Sequence, residues 1–273
     1  SLPSGEMPEV LILGSSNTMR YQPSLIEEGL GLTAFNYGVY WGKAEDVLCI
    51  VKHVVLDLDY TPKLLVIGVD PWTFAPPGSE HPLFPGIRRR LLNTPQLVRH
   101  LPDVSPLAVP WARFADAFSK QQLELSWNLV WGDNAVRTTR KCMIESPNTG
   151  PDGTRRYYGD FLGGSGNIFD SVEEGRYRLG EALATLDDAQ RRQALDKYVS
   201  IYNFDTFWDR RIDYMRQVLR LCQDHRINAV FVINPVHPAL YDLLAKETPH
   251  VENLERLNAL LVQFGQEYSA IVG

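Results

Sequence analysis

Short apolar runs that end at a glycine or a proline, separated by amphipathic stretches, limit what this chain can fold into more than any other feature of it. Val10–Leu13 stops at Gly14, Thr33–Tyr37 at Gly38 and Leu64–Ile67 at Gly68, while Ala229–Ile233 runs into a loop bounded by Pro235 and Pro238. Runs this short suit strands buried on both faces of a sheet. The stretches between them have the other periodicity. Ala44, Val47, Leu48, Val51, Val54 and Val55 repeat at i, i+3, i+4, i+7, and Phe207, Ile212, Met215, Leu219 and Cys222 fall on one stripe. Leu25–Leu30 continues a helix that Ser16, Asn17 or Thr18 can begin, Val251–Phe264 is a final helix, and "YSAIVG" opens a fifth strand. Strands alternating with helices imply right-handed crossovers and a parallel sheet. The expected fold is a three-layer α/β/α architecture with a flavodoxin-like sheet, its core formed by residues 1–74 and 200–273.

Between Phe74 and Ser200 that rhythm is lost. Prolines recur through Pro110, Trp111, Trp127 and Trp131 offer a local core, and "SPNTGPDGTRRYYGDFLGGSGN" is polar and glycine-rich. A structureless loop of this length does not belong inside a compact domain, so residues 75–199 are read as an inserted, partly helical cap. Gly163, Gly164 and Gly166 neither follow a buried strand nor open a Lys-Ser/Thr helix, which argues for a flexible loop over a phosphate cradle.

Composition narrows the partners. A chain of 273 residues with 44% hydrophobic content is long enough to bury about three quarters of its unfolded surface. Its formal net charge of -6 opposes a nucleic-acid partner, whose phosphates must be neutralised by lysine and arginine. The Arg88-Arg89-Arg90 triplet reads as a solvated face. Cys49, Cys142 and Cys222 form neither a disulfide framework nor a C-x-x-C pair, and Cys49 and Cys222 fall in helical patterns as buried thiols. His53, His81, His100 and His225 show no ligand spacing with one another or with carboxylates, so no metal and no cofactor are expected. No apolar run reaches the roughly 18 residues of a membrane span, and Ser1–Pro8 lacks the regions of a signal peptide. Removal of an upstream leader or anchor would place the protein outside the cytoplasm. The oligomeric state has no signature here.

In an open parallel sheet, function gathers at the carboxyl ends of the strands. Those ends carry Gly14-Ser15-Ser16-Asn17-Thr18, Asn36-Tyr37-Gly38, Gly68-Val69-Asp70 and Asn234-Pro235-Val236-His237. A hydroxyl, glycine N–H groups, a carboxylate and an imidazole are the parts of an acyl-transfer site. Each also has a plain structural use: Ser16 as a helix cap, Gly38 and Gly68 as strand-exit glycines, and His237 as a loop residue. "GSSNT" is not a Gly-x-Ser-x-Gly elbow, since Thr18 stands in place of the second glycine, which disfavours an α/β-hydrolase.

In order and spacing these blocks resemble the SGNH (GDSL-type) hydrolases, with a match over residues 9–74 and, less specifically, 206–267. The resemblance implies that Ser16 is the nucleophile, with Ser15 where the family has aspartate. It implies that the Asn36-x-Gly38 block supplies Gly38 as an oxyanion donor. Asp70 stands at the family's asparagine. An ionised carboxylate there would repel an alkoxide, so Asp70 is protonated, turned away, or used differently, for instance to orient a histidine. The family's Asp-x-x-His base motif does not occur. Glu247-Thr248-Pro249-His250 has the spacing but precedes the expected fifth strand and is read as accidental. Either the motif follows Gly273 or His237 takes the base role.

The function implied is hydrolysis of an O-acyl ester, on an acylated carbohydrate or similar small ester. O-acyl transfer onto a cell-envelope polysaccharide is the close rival, and a non-catalytic binding or scaffold protein retaining the fold is the rival from another class. A nucleotide-binding domain is weaker, because the first strand's turn lacks a second glycine for a pyrophosphate.

Overall fold

The computed structural model describes residues 7–39, 41–77, 94–102, 104, 199–236, 238–268 and 271–272. In chain order the elements are β1 (Val10–Leu13), α1 (Pro23–Leu30), β2 (Ala34–Asn36), α2 (Ala44–Lys52), β3 (Leu64–Val69), the short α3 (Pro95–Val98), α4 (Asp209–Asp224), β4 (Asn228–Ile233), α5 (Pro238–Glu247), α6 (His250–Tyr268) and β5 (Ile271–Val272). The chain divides into two compact units, Ser1–Pro77 with Tyr157–Gly273, and Gly78–Arg156, of which α3 belongs to the second. Most of the insertion expected over 75–199 lies outside the described residues, as do Arg88–Arg90, the three tryptophans, Cys142 and the 163–166 glycines.

The first unit holds a parallel sheet of five strands in the order β2-β1-β3-β4-β5. β1 is central and its four side chains are all buried, which is why an unbroken apolar run rather than an alternating one encodes it. α4 packs against both α2 and α6, and with the right-handed crossovers that parallel sheets favour this strand order sets those three helices on one face and α1 on the other. Val47, Leu48 and Val51 of α2 and Met215, Val218 and Leu219 of α4 are buried, as their spacing requires. Cys49 and Cys222 are buried free thiols whose burial pushes both pKa values up, that of Cys222 to about 12.

Several boundaries differ from the sequence expectation for identifiable reasons. The helix expected to begin at Ser16–Thr18 is only a 3-10 turn over Thr18–Arg20, and α1 starts at Pro23, whose fixed φ suits the first helical position. β3 does not stop at Gly68; it runs on to Val69, with Gly68 opposite Val232. Gly68 serves side-chain packing inside the strand: a Cβ there would lie 2.2 Å from Thr18 Oγ1, and one at Gly14 would lie 2.3 Å from the same atom. Two glycines, one just after β1 and one within β3, thus make room for the Thr18 side chain. α5 was not expected, because the prolines flanking His237 read as loop, yet Pro238 occupies its first position.

Candidate functional site

The strand order reverses between β1 and β3, and the turns leaving those two strands meet. Asp70, immediately after β3, is fully buried and receives hydrogen bonds from three side chains. Ser15 Oγ–H donates to Oδ2 at 2.8 Å, Asn17 Nδ2–H to Oδ1 at 2.9 Å, and Asn234 Nδ2–H to Oδ2 at 2.9 Å. Asn234 follows β4, and its own Oδ1 accepts the Tyr21 hydroxyl at 2.7 Å. One carboxylate therefore joins the ends of β1, β3 and β4. Burial pushes the Asp70 carboxyl above its usual range, and the three donors pull the other way by favouring the carboxylate. Tyr21 is raised to about 12 by its own burial and then by the Asp70 charge, so its hydroxyl remains a donor.

Ser16 lies between two of the residues bound to Asp70. It is half-buried, and among the described residues its hydroxyl has no hydrogen-bond partner. The turn around it is closed locally: the Asn17 N–H reaches Ser15 Oγ at 3.1 Å and the Met19 N–H reaches Ser15 O at 3.2 Å. Ser16 does not cap a helix; the position before the 3-10 turn is Asn17, whose side chain makes no capping bond.

Asn36 and Gly38 support this turn from β2. Asn36 Nδ2 donates to Thr18 O at 2.9 Å and to Tyr21 O at 2.8 Å, and its Oδ1 accepts the Gly38 N–H at 2.7 Å. The Gly38 hydrogen read as an oxyanion donor is thereby committed to a side chain. Gly38 must be glycine on packing grounds, since a Cβ would lie 2.9 Å from Met19 N and from Asn36 Oδ1. Beyond it the chain folds back against β1: Val39 N–H donates to Gly14 O at 2.9 Å, and a Cβ on Gly42 would stand 2.3 Å from that oxygen.

No protein-family model matches the chain, and no curated protein matches it.

The histidines divide by position. His237 lies outside the described residues. His53 follows α2 and His225 follows α4, so in a parallel sheet both stand at the end opposite Ser16. His53 does have carboxylate spacing, contrary to the sequence reading: the π-helical segment His53–Asp57 brings its Nδ1 to 2.6 Å from Asp57 Oδ2. His250 opens α6, ahead of β5 as its place in the sequence indicated. Its ring is fully buried, edge-on to Tyr202 at 5.0 Å and to Tyr241 at 5.5 Å. Neither ring nitrogen has a hydrogen-bond partner among the described residues. Burial holds its pKa below the ordinary value, so the ring is a neutral packing element.

An apolar cluster adjoins the polar network. Trp72, two residues after Asp70, packs with Ala75, Tyr202 and Leu244, and Trp41, Val236 and Leu240 lie against them. Trp41 meets Trp72 edge-on at 5.4 Å and holds a positive φ of 59°, a left-handed conformation that costs a non-glycine residue about 1 kcal/mol or more.

Of the residues singled out from sequence, Ser16, Asn36, Gly38 and Asp70 gather around the turns that leave β1, β2 and β3. Asp70 is neither turned away nor bound to a histidine among the described residues; it is an acceptor for amides and a hydroxyl. The structural parts of Asn17 and Tyr21 carry no sequence signal, because Tyr21 reaches Asn234 across 213 positions of chain.

Proposed function

We propose that this protein is a serine-dependent esterase of SGNH type acting on an O-acyl ester, with Ser16 as nucleophile. The observation that carries this reading is the placement of a half-buried Ser16 hydroxyl, unbonded among the described residues, at the β1/β3 switch point, between two residues tied to Asp70. In the step proposed, Ser16 Oγ bonds to the ester carbonyl carbon, the carbonyl π pair moves onto oxygen, and the hydroxyl proton passes to a base. The tetrahedral species then collapses, the C–O bond to the alcohol breaks, and the base returns the proton to the departing alkoxide. Water repeats the sequence to free the acid. The Ser16 N–H faces the developing oxyanion. Gly38 N–H joins it by sharing the Asn36 oxygen or leaving it. His237 is the base that the sequence offers.

Labelling with a fluorophosphonate probe tests the reading: a mass shift on Ser16, absent in Ser16→Ala, is expected. An unlabelled wild-type chain would overturn it. In the labelled case, release of acid from p-nitrophenyl acetate in water, compared with transfer to an added carbohydrate, separates hydrolysis from acyl transfer. A second reading, a binding protein on the same scaffold, draws on two observations. A carboxylate occupies the end of β3, and the Gly38 N–H is already paired.

A further inference from the structure

We infer that Asn17 supplies the side-chain N–H that receives the oxyanion, and that Asp70 is the positioning residue that aims it; this rests on the serine-esterase reading above. An ester attacked by Ser16 needs donors converging on the new oxyanion, and a carboxylate at residue 70 cannot be one. Asp70 instead grips an amide on the neighbouring strand's turn. The Asn17 side chain is oriented by that grip, since the reverse orientation would set its Oδ1 against the carboxylate. A primary amide carries two N–H bonds, and Asp70 Oδ1 takes one of them at 2.9 Å. Among the described residues nothing accepts the other.

Asn17 is half-buried and is the residue next to Ser16 in the chain, so this second hydrogen belongs to the same turn as the nucleophile. The other amide on Asp70 is differently placed. Asn234 is buried, with Nδ2 bound to Asp70 and Oδ1 occupied by Tyr21. Gly38 N–H is likewise engaged, by Asn36 Oδ1. Asn234 Nδ2 keeps a second N–H as well, but Asn234 is buried whereas Asn17 is half-buried and adjoins Ser16, so among the described residues Asn17 is the amide of this network whose remaining donor is open to a substrate. A carboxylate just after β3 holding a carboxamide on the turn after β1 does jointly what one amide at the end of β3 would do alone.

Kinetics on p-nitrophenyl acetate, with phenylboronic acid as a tetrahedral mimic, tests the inference on the full chain. Asn17→Ala removes the donor and Asn17→Gln displaces it by one methylene. Each should lower kcat by about 10²- to 10³-fold with KM little changed, and weaken the boronate by a similar factor. Asp70→Asn turns an acceptor of three donors into a group with one acceptor oxygen, and should show the same kcat-only loss through the misaimed Asn17. If fluorophosphonate labels wild-type Ser16 but Asn17→Ala and Asn17→Gln keep the wild-type kcat, or lose only in KM, the role of Asn17 is overturned while the serine reading stands. If wild-type Ser16 is not labelled, the serine reading falls and this inference with it. Should Asn17→Ala fail to fold, Asn17→Gln, which retains the amide, decides the matter.

Discussion

Arg211 and Glu45 face each other through two parallel N–H···O bonds, Nε to Oε2 at 2.9 Å and Nη2 to Oε1 at 2.8 Å, with neither side chain exposed to solvent. The pair joins α4 to the first turn of α2, and Arg211 Nη1 also donates to Ala75 O. A guanidinium's flat fork matches a carboxylate in this way where an ammonium cannot. Removing Arg211 leaves the Glu45 carboxylate buried without this counter-ion, and removing Glu45 takes from a buried guanidinium its bidentate acceptor. Glu45→Ala or Arg211→Ala is therefore expected to cost about 3–5 kcal/mol in urea unfolding, whereas an apolar replacement of both together should cost much less. A double-mutant cycle reads the difference.

Thr18 fits between Gly14 and Gly68 because neither has a Cβ. Gly68→Ala, which would bring its Cβ within 2.2 Å of Thr18 Oγ1, should destabilise the fold by about 1–3 kcal/mol. Shortening the partner with Thr18→Ala should recover much of that loss in the double variant. Additive losses, measured by thermal melting, would show that Gly68 matters for some reason other than Thr18.

The buried ring of His250 sets a pH dependence. Its folded pKa lies below the ordinary value of 6.5 because burial penalises the imidazolium. As pH falls below that value the unfolded chain binds the proton first, so ν_U exceeds ν_N and stability rises with pH across the window. The full contribution is present above pH 6.5 and declines as pH drops toward the folded pKa. Unfolding free energy measured from pH 7.5 to 5 should fall less steeply for His250→Phe than for the native chain.

Tyr21→Phe removes one hydroxyl and leaves Asn234 Oδ1 buried without its donor. A loss of about 1–3 kcal/mol is expected, with fluorophosphonate labelling of Ser16 kept, since the Tyr21 hydroxyl bears on Asn234 while its backbone, which meets Thr18 and Asn36, is unchanged in Phe. Loss of labelling at retained stability would show that the whole chain of bonds, from Tyr21 through Asn234 to Asp70, holds Ser16 in place.

The parallel sheet was legible because it is encoded locally. A strand covered on both faces must be apolar without interruption, as Val10–Leu13 is, and a helix packed on one face must repeat near 3.6, as Ala44–Val51 does. From those two periods follow the strands, most of the described helices and the placing of Ser16, Gly38 and Asp70 at strand ends. Partnership is not local. Nothing about Asp70 in the sequence distinguishes a carboxylate that steers a histidine from one that accepts Ser15, Asn17 and Asn234, since those donors come from positions 53 to 164 residues away and only the sheet order brings them together. The use of Gly68, an exit glycine by its spacing, was settled by a threonine on the adjacent turn, and the commitment of the Gly38 N–H by an asparagine two residues earlier. Side-chain type and period determine which elements form; which buried polar groups satisfy one another depends on three-dimensional neighbours, because each hydrogen bond is made over a few ångströms of space and not along the chain.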